Sequence, residues 1–141
     1  MIWRLTMLVA LTTTLGCFGG RPDLEFGNAH GKVILQGAPL ADATVRFQPE
    51  SGRPSYGKTN QQGEYTLNFM GREWGALVGN HQVAITTEDR IENPENGESR
   101  WQKEILPPKY NAQTELTAVV DPGENEINFT LDEMKKGATR P

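Results

Sequence analysis

Ala43-Thr44-Val45-Arg46-Phe47-Gln48 and Glu64-Tyr65-Thr66-Leu67-Asn68-Phe69 decide the fold, because apolar and polar residues alternate in both. A period of two puts Val45 and Phe47 on one face of a strand, with Thr44, Arg46 and Gln48 on the other. The same rule sends Tyr65, Leu67 and Phe69 to a buried face. Working outward, His30-Gly31-Lys32-Val33-Ile34-Leu35-Gln36 reads as a strand facing inward through Val33 and Leu35. Asn80–Thr87 reads as another, with His81, Val83 and Ile85 inward. Turn signals separate these runs: Gly37-Ala38-Pro39, after which Leu40 plugs one end of the core, and Asn60-Gln61-Gln62-Gly63. Ser55–Thr59 is a short strand, Met70–Gly79 is irregular, and Glu88–Lys103 is a long polar loop. Leu116–Val120 and Glu126–Leu131 close the domain as a hairpin across Asp121-Pro122-Gly123-Glu124-Asn125, and Met134–Pro141 frays. Regular strands without an amphipathic helix predict an all-β, antiparallel, seven-stranded Greek-key sandwich over residues 30–131, followed by a tail over 132–141.

The N-terminus carries a different kind of signal. Arg4 precedes the apolar run Leu5–Leu15, which ends at Gly16 and Cys17, the single cysteine of the chain. That run is about half the roughly twenty residues a spanning helix needs, so it reads as the apolar part of a secretory signal. A small residue before a lone thiol is the arrangement of a bacterial lipoprotein signal, although Thr14 stands where Leu is usual and Leu15 follows one place later. The expected organisation is a signal peptide over residues 1–16, an acylated Cys17 opening a tether over 17–29, and then the sandwich. Phe18 carries no inner-membrane retention signal of the Asp type, which directs the expectation to the outer membrane. One cysteine permits no internal disulfide. The formal net charge of −4 over 141 residues argues against nucleic acid, whose affinity comes from Lys and Arg neutralising phosphates.

Four motifs in order then carry a resemblance. Gly31-Lys32-Val33 with Gly37-Ala38-Pro39-Leu40-Ala41-Asp42-Ala43-Thr44-Val45-Arg46-Phe47 resembles the opening hairpin of carboxypeptidase regulatory-like (transthyretin-like) domains. Thr59-Asn60-Gln61-Gln62-Gly63-Glu64-Tyr65-Thr66-Leu67 resembles their T-D-x-x-G-x-Y-x-L segment, with Asn60 for the commoner Asp. Gly79-Asn80-His81-Gln82-Val83-Ala84-Ile85 resembles G-x-Y-x-V-x-I, with His81 in the aromatic position. Leu106-Pro107-Pro108-Lys109-Tyr110-Asn111, then Leu116-Thr117 and Gly123-Glu124-Asn125-Glu126, looks like the short lipoprotein branch. The resemblance implies a prealbumin-like sandwich and no activity of its own, since each motif has a structural cause.

Constellations that could carry chemistry are few. His30 and His81 lack a third ligand at metal spacing, so both are expected to be structural, and no metal or cofactor is implied. Ser51, Ser55 and Ser99 sit without a nucleophile elbow or adjacent base, which argues against an enzyme. The carboxylates of Glu88-Asp89…Glu92…Glu95…Glu98 do not match a calcium loop and are interrupted by Arg90 and Arg100. Lys32 and Asn128 occupy first and last strands, but alternation faces both to water, against a Lys–Asn crosslink. Trp74 and Trp101 stand out because both fall in irregular segments. They are expected to fold back against the sandwich edge; the alternative is a ligand site with Arg72, Glu73 and Arg100 as polar neighbours. The resulting expectation is a membrane-anchored, non-enzymatic structural or protein-binding module of the envelope. The alternatives are a carbohydrate-binding module using the loop tryptophans, or an accessory subunit of an exported enzyme or transporter.

Overall fold

The computed structural model describes residues 23–71 and 73–140, with the side chains of Glu73 and Trp74 left outside the description. Cys17 and the rest of the proposed signal and tether up to residue 22 lie outside the described residues. The described residues form an all-β fold of fourteen strands, most of them short. The first five are β1 (Phe26–Leu35), β2 (Ala38–Pro39), β3 (Thr44–Pro49), β4 (Ser55–Lys58) and β5 (Glu64–Thr66). Four more follow, β6 (Asn68–Phe69), β7 (Glu73–Trp74), β8 (Ala76–Leu77) and β9 (Gly79–Thr86). The remainder are β10 (Asp89–Glu92), β11 (Ser99–Gln102), β12 (Leu116–Val120), β13 (Gly123–Glu126) and β14 (Phe129–Leu131), with one 3-10 turn at Pro108–Tyr110 before β12.

Two six-stranded sheets enclose the core. One runs β12-β9-β3-β4-β6-β7, and the other gathers β13, β14, β2, β5 and β8 around β1. Their inward faces meet as the alternation requires: Val33, Leu35, Val45, Phe47, Leu67, Val83, Ile85 and Leu131 are completely buried. Leu40 is buried at the end of the core, and Phe69, expected inside, is half-buried. Phe47 sits at the centre, with ring centroids 5.6 Å from His81, 6.1 Å from Phe129 and 6.4 Å from Tyr65. Burial pushes the Tyr65 phenol well above its ordinary pKa, and its hydroxyl donates to the Ile127 carbonyl at 2.6 Å.

The last strands depart from expectation. Leu116–Val120 and Glu126–Leu131 do not form a hairpin: β12 joins β9 in one sheet, whereas β13 and β14 lie against β1 in the other. Asp121-Pro122 is therefore a crossing between layers. Asn125 secures it, accepting from the Asp121 N–H at 2.9 Å and donating to the Asn28 carbonyl at 2.9 Å. Both β13 and β14 run parallel to β1, so those two ladders are exceptions to the antiparallel pattern.

Between β13 and β14 the chain bulges toward β1. Ile127 N–H donates to the His30 carbonyl at 2.8 Å, and Asn128 Oδ1 accepts from Lys32 N–H at 2.8 Å. A Cβ at Gly31 would stand 1.8 Å from the Ile127 oxygen, so only glycine allows this approach. The Lys32 side chain is partly exposed, 4.0 Å from Glu64, and Asn128 is exposed, so neither has the burial that a Lys–Asn crosslink requires.

The ends also differ from the reading of sequence. β1 starts at Phe26, ahead of His30, and pairs there with β8. The C-terminal segment is held: Lys135 N–H donates to Ile105 O at 2.6 Å, Arg140 Nη2 donates to Leu35 O at 2.6 Å, and Met134 and Ala138 pack on the core. Among the described residues no helix is long and apolar enough to cross a membrane.

Candidate functional site: a clamped hairpin arm

The segment expected to be a loop, Glu88–Lys103, is an arm built from the antiparallel hairpin β10–β11. Its turn is local chemistry. Asn93 Oδ1 accepts from Glu95 N–H at 2.9 Å, Asn96 Oδ1 accepts from Glu98 N–H at 3.0 Å, and Gly97 takes a positive φ of 69°. The acidic side chains are distributed along this ribbon, and among the described residues no three His, Cys, Asp or Glu converge as a metal site.

The base of the arm is a polar clamp. Thr87 is buried, and its hydroxyl donates to Glu104 Oε1 at 2.7 Å while accepting from Ile105 N–H at 2.9 Å. Gln102, also buried, donates through Nε2 to the Thr87 carbonyl at 2.8 Å. Glu104 further accepts from Leu106 N–H at 2.9 Å and from the Thr86 hydroxyl. On one flank Lys58 Nζ pairs with Asp89 at 2.8 Å. That hydrogen bond from Lys58 holds the Asp89 carboxyl below the usual range. The two strands of the arm thus leave the sandwich through fixed hydrogen bonds.

Burial disfavours the ionised Glu104 carboxylate, but the hydrogen bonds from Thr86, Leu106 and Thr87 together outweigh it and hold its pKa below the ordinary 4.5. A depressed carboxylate pKa stabilises the fold above the unfolded value, and that contribution disappears as pH falls through the folded value. Thermal melts of the wild type should therefore lose stability progressively below about pH 4.5. Glu104→Gln should be less stable at pH 7 and show a shallower acid dependence; parallel curves for the two proteins would remove Glu104 as the cause.

Alternation sorts the arm into two faces. Asp89, Ile91, Arg100 and Gln102 share one, and Gln102 turns into the clamp. Arg90, Glu92, Ser99 and Trp101 share the other, with Arg90 directly opposite Trp101 in the register. The Arg90 guanidinium donates to Ser99 Oγ from Nε at 3.0 Å and from Nη2 at 2.8 Å, which lays it along β11. Trp101 is 62% exposed, the most exposed large hydrophobic residue described. The expectation that this loop buries its own tryptophan is thus overturned, since the clamp directs the adjacent Gln102 inward and Trp101 outward.

The other predicted site residues are not gathered here. Arg100 lies on the opposite face of the ribbon from Trp101, and Arg90 takes the neighbouring place. Trp74 belongs to β7, paired with Asn68, and Arg72 lies outside the described residues. Loop-like sequence carries no register, so nothing in it singles out Arg90; only the pairing of β10 with β11 brings it opposite Trp101.

Neither histidine belongs to the arm. His30 Nδ1 is 3.7 Å from Glu124 at the surface, and His81 is buried beside Phe47 with Nε2–H donating to the Leu77 carbonyl at 2.7 Å. His81 Nδ1 and Ser55 Oγ are both buried without a hydrogen-bond partner among the described residues, so they do not form a nucleophile–base pair.

No family model and no curated protein matches the chain. Among solved structures it is similar to a DUF3823 family protein from Parabacteroides merdae, at 18% identity and a TM-score of 0.42, over 77% of this chain and 46% of that one. It is also similar to a 9R-lipoxygenase from Cyanothece, at 12% identity and a TM-score of 0.39, over 92% of this chain and 18% of that one. The chain thus spans less than half the length of either protein.

Proposed function

We propose that this chain is a non-enzymatic, lipid-anchored binding module of the bacterial envelope that engages a partner protein through the β10–β11 arm. The observation that carries the reading is the 62% exposed indole of Trp101 on an arm whose base is hydrogen-bonded in place. An exposed tryptophan on a preorganised element suits an interface anchor, because little ordering entropy remains to be lost on binding. The anchor is Cys17, acylated after removal of residues 1–16, with the outer membrane as destination; the signal pattern supports this. The resemblance to carboxypeptidase regulatory-like domains supports an auxiliary module of the same kind, and extends to an accessory subunit of an exported enzyme or transporter.

A second reading keeps a specific observation in its favour. The indole of Trp101, with the donor-only Arg90 opposite and the acceptor-only Glu92 on the same face, also suits a neutral sugar ring that stacks and exchanges hydroxyl hydrogen bonds. Envelope capture with the wild-type chain and with Trp101→Ala separates the two. A protein partner should lose about thirtyfold in affinity on truncation of a hot-spot tryptophan. Glycan binding abolished by the same variant would favour the sugar, and a partner retained at full affinity would overturn the arm as contact site. Because Trp101 is exposed, its alanine variant should keep the wild-type melting temperature. Intact mass of the membrane-extracted protein should show acyl chains on Cys17.

A further inference from the structure

The free edge of β12 is unlike every other edge strand described. Leu116-Thr117-Ala118-Val119-Val120 carries no charge and no proline, and among the described residues it pairs on one side only, with β9. The other free edges are short or bear charged residues: β13 has Glu124 and Glu126, and the arm has Asp89, Arg90, Glu92 and Arg100. Natural sheets protect long edges with such charges, so an unprotected one marks a pairing surface. Val119 on the outer face is 57% exposed, beside a shallow groove of about 900 Å³ lined by Gln48, Asn80, Gln82 and Thr117.

The backbone determines which groups stand unpaired. The Val83 carbonyl accepts from the Thr114 hydroxyl and the Ile85 carbonyl from Asn111 Nδ2 at 3.3 Å, so the odd-numbered residues of β9 point toward the β12 side. In the observed register Leu116 faces Val83 and Ala118 faces His81. The backbone groups of Leu116, Ala118 and Val120 therefore face β9, Leu116 N–H donating to Thr114 Oγ1 at 3.1 Å, and the N–H and C=O of Thr117 and Val119 stand at the open edge. Such groups seek either water or another strand.

We propose that a second copy of this chain covers this edge, β12 pairing antiparallel with β12 of the second copy about a two-fold axis through Ala118. A two-fold axis normal to the sheet must keep inward residues opposite inward residues, which leaves few registers. With Ala118 opposite Ala118 of the second copy, Thr117 faces Val119 and exchanges both backbone bonds with it, so every open group on the edge is used. Shifting the axis to Val119 would instead set Thr117 against Asp121, whose N–H and C=O are already bonded to Asn125. In the favoured register half-buried Leu116 meets Val120 on the inner face, and Thr117 meets Val119 on the outer one. The opposing term is Glu115, which faces Asp121 of the second copy with like charge. This surface is separate from the arm, so the proposal stands independently of the arm's partner.

Sedimentation equilibrium and disulfide trapping on the full chain carrying Cys17→Ser provide the test. The expected result is a concentration-dependent dimer that Val119→Lys renders monomeric and Glu115→Lys tightens about fivefold by turning two repulsive pairs into attractive ones. Ala118→Cys should crosslink under mild oxidation, because facing Cα atoms in a non-hydrogen-bonded pair lie about 4.5 Å apart, within disulfide reach. Val119→Cys, whose copies are offset, should crosslink much more slowly. A chain that stays monomeric at about 0.1 mM, well inside the range of weak strand-mediated association, overturns the proposal. So does a dimer insensitive to Val119→Lys, or faster crosslinking at Val119 than at Ala118.

Discussion

Replacing Phe47 with alanine is expected to cost about 3–5 kcal/mol, the range for deleting a large aromatic from a well-packed core. Phe47 is fully buried, and its ring touches the layer formed by Tyr65, His81 and Phe129, contributed by three other strands. Removing it leaves a void between the sheets that rigid ladders on both sides cannot collapse to fill. For a domain of this size each kcal/mol corresponds to about 4–8 °C in Tm, so the melt should move by more than about 12 °C. Phe47→Leu, which retains much of the volume, should recover over half of that loss. A Phe47→Ala melt within a few degrees of wild type would contradict the central place given to this ring.

The second large effect is expected from a single methyl group. Gly31→Ala places a Cβ 1.8 Å from the Ile127 oxygen and 2.6 Å from its carbon, both backbone atoms that no rotamer change can move. Relief requires the bulge between β13 and β14 to back away from β1. That movement breaks the bond from Ile127 N–H to His30 and the one from Tyr65 to Ile127, and strains the contact of Lys32 N–H with Asn128. The combined cost is about 3 kcal/mol, from overpacking plus an unpaired buried hydroxyl. Urea titration reads it as a lower midpoint with unchanged slope. Because the Tyr65 phenol would be released, its near-ultraviolet signal should change in the folded baseline as well. An unaltered midpoint would show that the two strands are not held as closely as the glycine implies.

Much of the sandwich was legible from alternation. Val33 and Leu35, Val45 and Phe47, Tyr65 and Leu67, and Val83 and Ile85 all face inward as their period demands, because the inward positions of a two-layer fold are filled mainly by apolar side chains. The partners of each strand were not legible. Glu126–Leu131 has the same period whether it follows β12 in a hairpin or crosses to run parallel with β1, and Asp121-Pro122-Gly123 is equally good turn chemistry for either. The arm was missed for a different reason. Asp89-Arg90-Ile91-Glu92 and Ser99-Arg100-Trp101-Gln102 bury almost no apolar surface, and what holds them is Thr87, Gln102 and Glu104 at the base. A polar clamp leaves no period in the sequence. For Trp101 the residue type gave a reason to look, but its exposure depends on Gln102 turning inward, which only the folded chain displays.

The parallel ladders beside β1 also govern the timetable of assembly. Lys32 and Asn128 meet across 96 positions, so one flank of the first strand described waits for the last two. Pairings this distant in the chain are slow to form, and a nascent polypeptide interrupted before residue 123 would keep one flank of β1 bare. Closure is therefore sequential: the other sheet and the opposite flank of β1 can form from residues up to 120, and the last flank seals only when residues 123–131 are available.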